Sequence, residues 1–131
     1  MSLLDEEIKA FISKSENKLK NSKTLFKLGE YSDSVSLSYY SMYLCAKALL
    51  IEKECDIPKT HQGLIKLFSL KWVHEDNFKY NTYKYLANTQ SDREHADYDA
   101  HDLISETIAK KRIKQAEEFI IETKRVLKIK N

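Results

Sequence analysis

The stretch SDREHADYDAH, residues 91–101, sets Arg93, His95, His101 and the carboxylates of Asp92, Glu94, Asp97 and Asp99 around Tyr98. Those residue types suit cleavage of RNA without a metal. Such a reaction needs a base for the 2′-hydroxyl proton, an acid for the leaving 5′-oxygen and a cation for the charged phosphorane. Arg93 is the candidate cation, because a guanidinium grips phosphate through two parallel N–H groups, and His101 is the candidate acid or base, because imidazole titrates near neutrality. On a continuous helix the eight-position offset from Arg93 to His101 returns both to one face, about 12 Å apart along the axis. That is far for one phosphate, and a second copy of the chain is one way to close it. The plainer alternative makes Arg93 the (i, i+4) ion-pair partner of Asp97, with Asp97 or Asp99 capping the last helix. A metal is the third alternative, but His95, Asp97, Asp99 and His101 alternate at steps of two, which scatters them around a helix. Neither cysteine ligands nor a His-Glu-x-x-His pair accompanies them, so no metal and no cofactor is expected.

Other residues are candidates for binding. KYNTYKYL, residues 79–86, interleaves lysines with Tyr80, Tyr83 and Tyr85, a composition that stacks bases while holding phosphates. Its plainer reading puts Tyr80, Tyr83 and nearby Phe78 against the core or a partner copy. Lys47 stands alone in the most apolar segment of the chain, where it either snorkels from a buried stem or neutralises a carboxylate such as Asp97. His61 follows Thr60, a natural helix cap just after Pro58, and is expected to make local hydrogen bonds. Tyr39, Tyr40 and Tyr43 read most simply as core or interface, and Tyr98 as a ring packed between helices.

These residues must be positioned by helices. Two glycines and one proline among 131 residues leave little from which to build hairpins, so the composition is all-α. Leu4, Ile8, Phe11, Ile12, Leu19, Leu25 and Phe26 recur at helical spacing and predict a first amphipathic helix that Gly29 ends. The serines and aspartate of YSDS are the cap candidates for a second helix, about Ser32 to Glu54, whose apolar residues lie on more than one face. That is how a central helix reads. Pro58 breaks it, a third helix begins near Thr60, and DNFKYNTYKYLANTQSD predicts a tyrosine-rich fourth. A long last helix, starting between Asp99 and Ser105, carries Ile108, Ile113, Ala116, Phe119, Ile120 and Leu127.

The totals exclude several classes. With 22 basic and 20 acidic residues the net charge is +2, so indiscriminate polycation binding to nucleic acid is not expected. Cys45 and Cys55 belong to no CxxC pair, which points to reduced thiols in a cytosolic protein. The longest nearly uncharged run, YSMYLCAKALLI, is too short for a bilayer, so no membrane span is expected. No leader pattern opens the chain, and the expected location is the cytoplasm. One domain over residues 1–131 is the expected organisation.

Taken together, SLSYYSMYLCAKALLI, PKTHQGLIKLF, DREHADYD and the long final helix resemble the HEPN superfamily, most closely its small stand-alone prokaryotic members. The resemblance implies an up-and-down bundle of four to five helices that forms a homodimer through its helices. It also implies a toxin–antitoxin-like pairing with a minimal nucleotidyltransferase, and a nucleotide- or RNA-binding cleft at the dimer interface. Carried onto this chain, that cleft takes Arg93, Asp97 and Tyr98, with Lys47, His61 and Tyr83 as further binding candidates. Many HEPN proteins are metal-independent ribonucleases marked by an arginine and a histidine a short, defined spacer apart. Here His95 is too close to Arg93 and His101 lies just beyond that spacing, so Arg93 and His101 form an enzyme's pair only as the alternative. The subgroup pattern of an arginine followed by Ala-Asp-Tyr is met by Arg93, Ala96, Asp97 and Tyr98. In some members a nearby tyrosine is adenylylated by the nucleotidyltransferase, for which Tyr98 is the counterpart.

Overall fold

A computed structural model of the chain describes residues 3–98 and 104–129, with side chains outside 95–98. It is all-α, with no strand among the described residues. The helices are α1 (Leu3–Lys27), α2 (Tyr31–Glu52), α3 (His61–Phe68), α4 (Tyr80–Tyr98) and α5 (Glu106–Leu127), and a π-helical turn over Ser69–His74 extends α3. Cross-helix contacts give the directions. Ser15 and Ser22 of α1 meet Ser41 and Ser34 of α2, so those two run antiparallel. Lys23 pairs with Glu117 and Glu16 with Lys124, which makes α5 antiparallel to α1. Lys79 meets Glu122 and Asp92 meets Arg112, so α4 opposes α5 in turn. The result is the expected up-and-down bundle of α1, α2, α4 and α5, with α3 crossing from α2 to α4.

Helix α2 is its centre. Thirteen of its 22 residues are buried, from Ser34 and Val35 to Leu50 and Ile51, while Asp33, Ser36, Tyr40, Tyr43 and Lys47 mark a stripe that is not. Phe68, Phe78 and Phe119 close the core beside it, with ring centroids 4.9 to 5.9 Å apart. Burial pushes the Cys45 thiol up to about 11, although its hydrogen bond to Ser15 opposes the shift, so it behaves as a small core residue.

Where α1 meets α2, serines replace large side chains. Ser15 and Ser41 each donate to the other's carbonyl, at 2.8 and 2.9 Å, and Ser22 and Ser34 repeat the exchange at 2.6 and 2.9 Å. Small hydroxyl side chains let the two backbones approach, and each brings a partner for its own polar atom. One departure from the sequence reading lies here. The serines and aspartate of YSDS do not cap α2, whose cap position is Glu30 without a side-chain bond; they lie inside its first turn, where the Ser34 hydroxyl bonds to α1. Gly29, at φ +80°, ends α1 as expected, with Glu30 N–H reaching back to the Leu25 carbonyl.

Two further boundaries differ. Helix α4 does not stop near Asp92 but continues to Tyr98, so most of SDREHADYDAH is helix. Helix α5 is capped neither by Asp97 nor by Asp99: the Ser105 hydroxyl accepts from Ile108 N–H at 3.2 Å. The π-turn was not anticipated. It turns Trp72 inward, where the indole N–H donates to the Leu49 carbonyl at 2.7 Å and satisfies one of the last, otherwise unpaired carbonyls of α2.

Ser22→Leu is expected to lower the unfolding free energy by about 1–3 kcal/mol through overpacking, and Ser22→Ala by about 1 kcal/mol through loss of its hydrogen bonds. Urea denaturation checks both; a leucine variant as stable as the parent would contradict the close helix approach.

Candidate functional site

Three elements converge on one aromatic cluster. Tyr39, Tyr40 and Tyr43 project from α2, His61 opens α3, and Arg93 comes from α4. The Arg93 guanidinium donates to the Tyr40 hydroxyl at 3.0 Å and its central carbon lies 5.1 and 5.3 Å from the Tyr40 and Tyr39 ring centroids. A guanidinium lying over aromatic faces is attracted by their quadrupoles, which helps to fix its orientation. The His61 ring stacks on Tyr43 at 4.4 Å, and its Nδ1 lies 2.7 Å from the Tyr39 hydroxyl.

Backbone features hold this arrangement. Thr60 caps α3, its hydroxyl accepting from Gly63 N–H at 3.0 Å, which fixes His61 at the first position of the helix. Gly63 is needed there, since a Cβ would come within 2.8 Å of the Thr60 hydroxyl and 3.1 Å of the Pro58 side chain. Arg93 is fixed through its neighbour: Asp92 accepts from Arg112 of α5 at 2.7 Å in a largely buried ion pair. At the other end of α4, the buried carboxylate of Glu122 accepts from the Lys79 amide at 2.7 Å and from Arg125. Burial alone would raise the Glu122 pKa, but these donors outweigh it and the carboxyl lies below its usual range.

The electrostatics favour a neutral histidine. Burial and then the Arg93 charge lower the His61 pKa, so its imidazole is uncharged at neutral pH. Burial raises the Tyr39 pKa, with Arg93 only partly opposing, so that phenol keeps its proton. The Tyr39 hydroxyl and His61 Nδ1 share a hydrogen bond whose donor depends on the imidazole tautomer, and a neutral ring offers one N–H donor and one acceptor nitrogen. With Arg93 beside it, the cluster can hold an anionic oxygen and stack a planar ring.

Of the residues singled out by sequence, Arg93 and His61 are brought together. Lys47 is not with them; its ammonium lies over the Phe11 ring of α1 at 4.9 Å. Tyr83 packs on Phe68 and Tyr80, 6.1 and 6.0 Å between centroids, in keeping with its plainer reading. Asp97 and Tyr98 fall on the last turn of α4, but their side chains, and the whole of Asp99 and His101, lie outside the described residues. The (i, i+8) pairing of Arg93 with His101 and the Arg93–Asp97 ion pair are thus not described. Sequence reasoning left Tyr39, Tyr40 and Tyr43 as core or interface; the available signal was that three tyrosines within five positions exceed what one buried stripe needs. Among the described residues no three His, Cys, Asp or Glu side chains are grouped to hold a metal ion, and no helix is long and apolar enough to cross a membrane.

Residues 8–126 match the family model of the HEPN domain. The chain is similar to two proteins of Methanocaldococcus jannaschii that each carry the name "putative toxin". One is 34% identical over 95% of this chain and 84% of the relative, the other 37% identical over 94% and 90%. A UPF0332 protein of Archaeoglobus fulgidus is 31% identical over 91% of this chain and 94% of its own length.

The His61 imidazole is expected to titrate below its ordinary midpoint of ~6.5 in a two-dimensional NMR pH series. Arg93→Met should move the midpoint upward without restoring it fully, because burial remains the larger cause. The sign also applies to stability: the unfolded chain takes up this proton first, so the contribution of the neutral ring is complete above ~6.5 and falls as the pH drops below that.

Proposed function

This chain belongs to the HEPN domain family, and from that premise we propose that it is the toxin-like member of a toxin–antitoxin pair, holding RNA or a nucleotide at Arg93. The observation that carries the reading is the seating of the Arg93 guanidinium over Tyr39 and Tyr40, with a neutral His61 one ring away. A phosphate is held best by a cation whose geometry is set before it arrives, and the aromatic bed helps to set it. Tyr40, Tyr43 and His61 are only partly buried, and they supply ring faces for a base. The working form in this reading is a homodimer with the α4 ends of two copies facing one cleft, where Asp97 and Tyr98 join Arg93. The pairing partner is a minimal nucleotidyltransferase, for which Tyr98 is the acceptor of an adenylyl group. The site is intracellular in this reading.

A second reading makes the protein a metal-independent ribonuclease, with Arg93 as the phosphate cation and His101 as acid or base. Both readings start from the toxin names of two relatives, and this one adds cleavage to binding.

Fluorescence anisotropy with single-stranded RNA tests the first reading. Arg93→Ala should weaken binding by roughly tenfold or more, and Tyr40→Phe, which keeps the ring, by only a few-fold. Equal affinity of the Arg93→Ala variant and the parent would refute it. An RNA-cleavage assay in EDTA separates the readings: loss of activity in both Arg93→Ala and His101→Ala supports the ribonuclease, and equal activity in all three proteins marks a contaminant.

A further inference from the structure

Away from Arg93, a groove of about 1060 Å³ runs between the C-terminal half of α1 and the N-terminal half of α5. Its rim carries five lysines, Lys23 and Lys27 from α1 and Lys110, Lys111 and Lys114 from α5, all exposed. Glu106 and Glu117 are the lining carboxylates, which leaves three surplus positive charges here against +2 for the whole chain. This groove is thus more positive than the chain as a whole. Lys23 and Lys27, like Lys110 and Lys114, are (i, i+4) pairs of like sign, which repel along each helix. The positive end of the α5 dipole adds to the same field. An anionic occupant would relieve this repulsion.

The floor shows which kind of anion. It is apolar, with Phe26 and Ile113 at its base. Past the Lys23–Glu117 pair a second hollow adjoins the groove along the same seam, running over Leu19 and Ile120 to Ile121, which is 55% exposed, with Lys20 and Glu16 balancing each other at its rim. This floor is aliphatic apart from Phe26, whose ring is already packed at 5.6 Å on Tyr31. Without arginine or a free aromatic face, it lacks what nucleic-acid grooves use to stack bases. From Glu106 to Ile121 the seam follows 15 residue steps of α5, about 22 Å. That length, an aliphatic floor and a lysine rim complement a helix of about four turns with an apolar stripe and acidic flanks.

We propose that the α1–α5 seam docks an acidic amphipathic helix of a partner protein. The lysine rim recognises the carboxylates and sets the encounter rate, and the aliphatic floor takes the apolar stripe. The proposal is independent of the Arg93 cluster.

The probe is a fluorescein-labelled peptide of about 16 residues with leucines at i, i+3, i+4 and i+7 flanked by glutamates. Beside it go a scrambled peptide of the same composition, a version with lysine for every glutamate, and single-stranded RNA. The full-length chain should bind the acidic amphipathic peptide in preference to all three. Lys110→Glu combined with Lys114→Glu should weaken that binding about tenfold and reduce its salt dependence. Ile121→Asp, at an exposed position, should weaken it without altering the melting temperature, and Arg93→Ala should leave it unchanged. The proposal is overturned if the scrambled or lysine peptide binds equally well, if none binds, or if the double lysine variant loses RNA affinity while peptide binding stays the same.

Discussion

A helix whose residues are mostly apolar and mostly buried has to be enclosed, and α2, with thirteen of 22 residues buried, is such a helix. Its burial dictates the bundle: α1 and α5 cover two sides, α4 a third, and α3 with its π-turn fills the remaining angle. The enclosure is also polar where it must be. Reciprocal serine bonds tie α2 to α1, and the Trp72 indole closes the carbonyl of Leu49 near its end. Removing any one neighbour would expose a face of α2 that has no means of meeting water.

The candidate site lies at a place where that enclosure is incomplete. Tyr39 is fully buried, but Tyr40 and Tyr43 stand at the edge of α2, where α3 and α4 diverge. Rings at an edge need partners that tolerate partial hydration, and His61 and Arg93 are of that kind. The same burial that packs Tyr39 keeps it protonated, and its hydroxyl shares a hydrogen bond with His61 Nδ1. Packing and electrostatics are therefore one arrangement here.

Position along α4 is controlled from α5 rather than from within the site. Glu122 holds the start of α4 through the Lys79 amide, and Arg112 holds its later part through Asp92, one residue before Arg93. With both ends pinned to α5, a helix of weak amphipathic character has little freedom to slide or rotate, and Arg93 stays over the tyrosines.

Helix periodicity, the glycine stop at Gly29, the Thr60 cap and the apolarity of α2 were enough to determine the helices and the all-α class from sequence, because each is a local signal acting within a few residues, whereas the up-and-down bundle was implied by the family resemblance. Arg93 was legible as a site residue by its type and its surroundings. Its partners were not, since Tyr39, Tyr40, His61 and Arg93 come from three helices, and only antiparallel packing against α2 brings them to one place. Nor was the cap of α5, because the aspartates of residues 91–101 look as suitable as Ser105 until α4 is seen to continue through Asp97. Pairings across helices depend on register, and register is decided by how side chains from separate elements fill one core, which no single stretch of sequence contains.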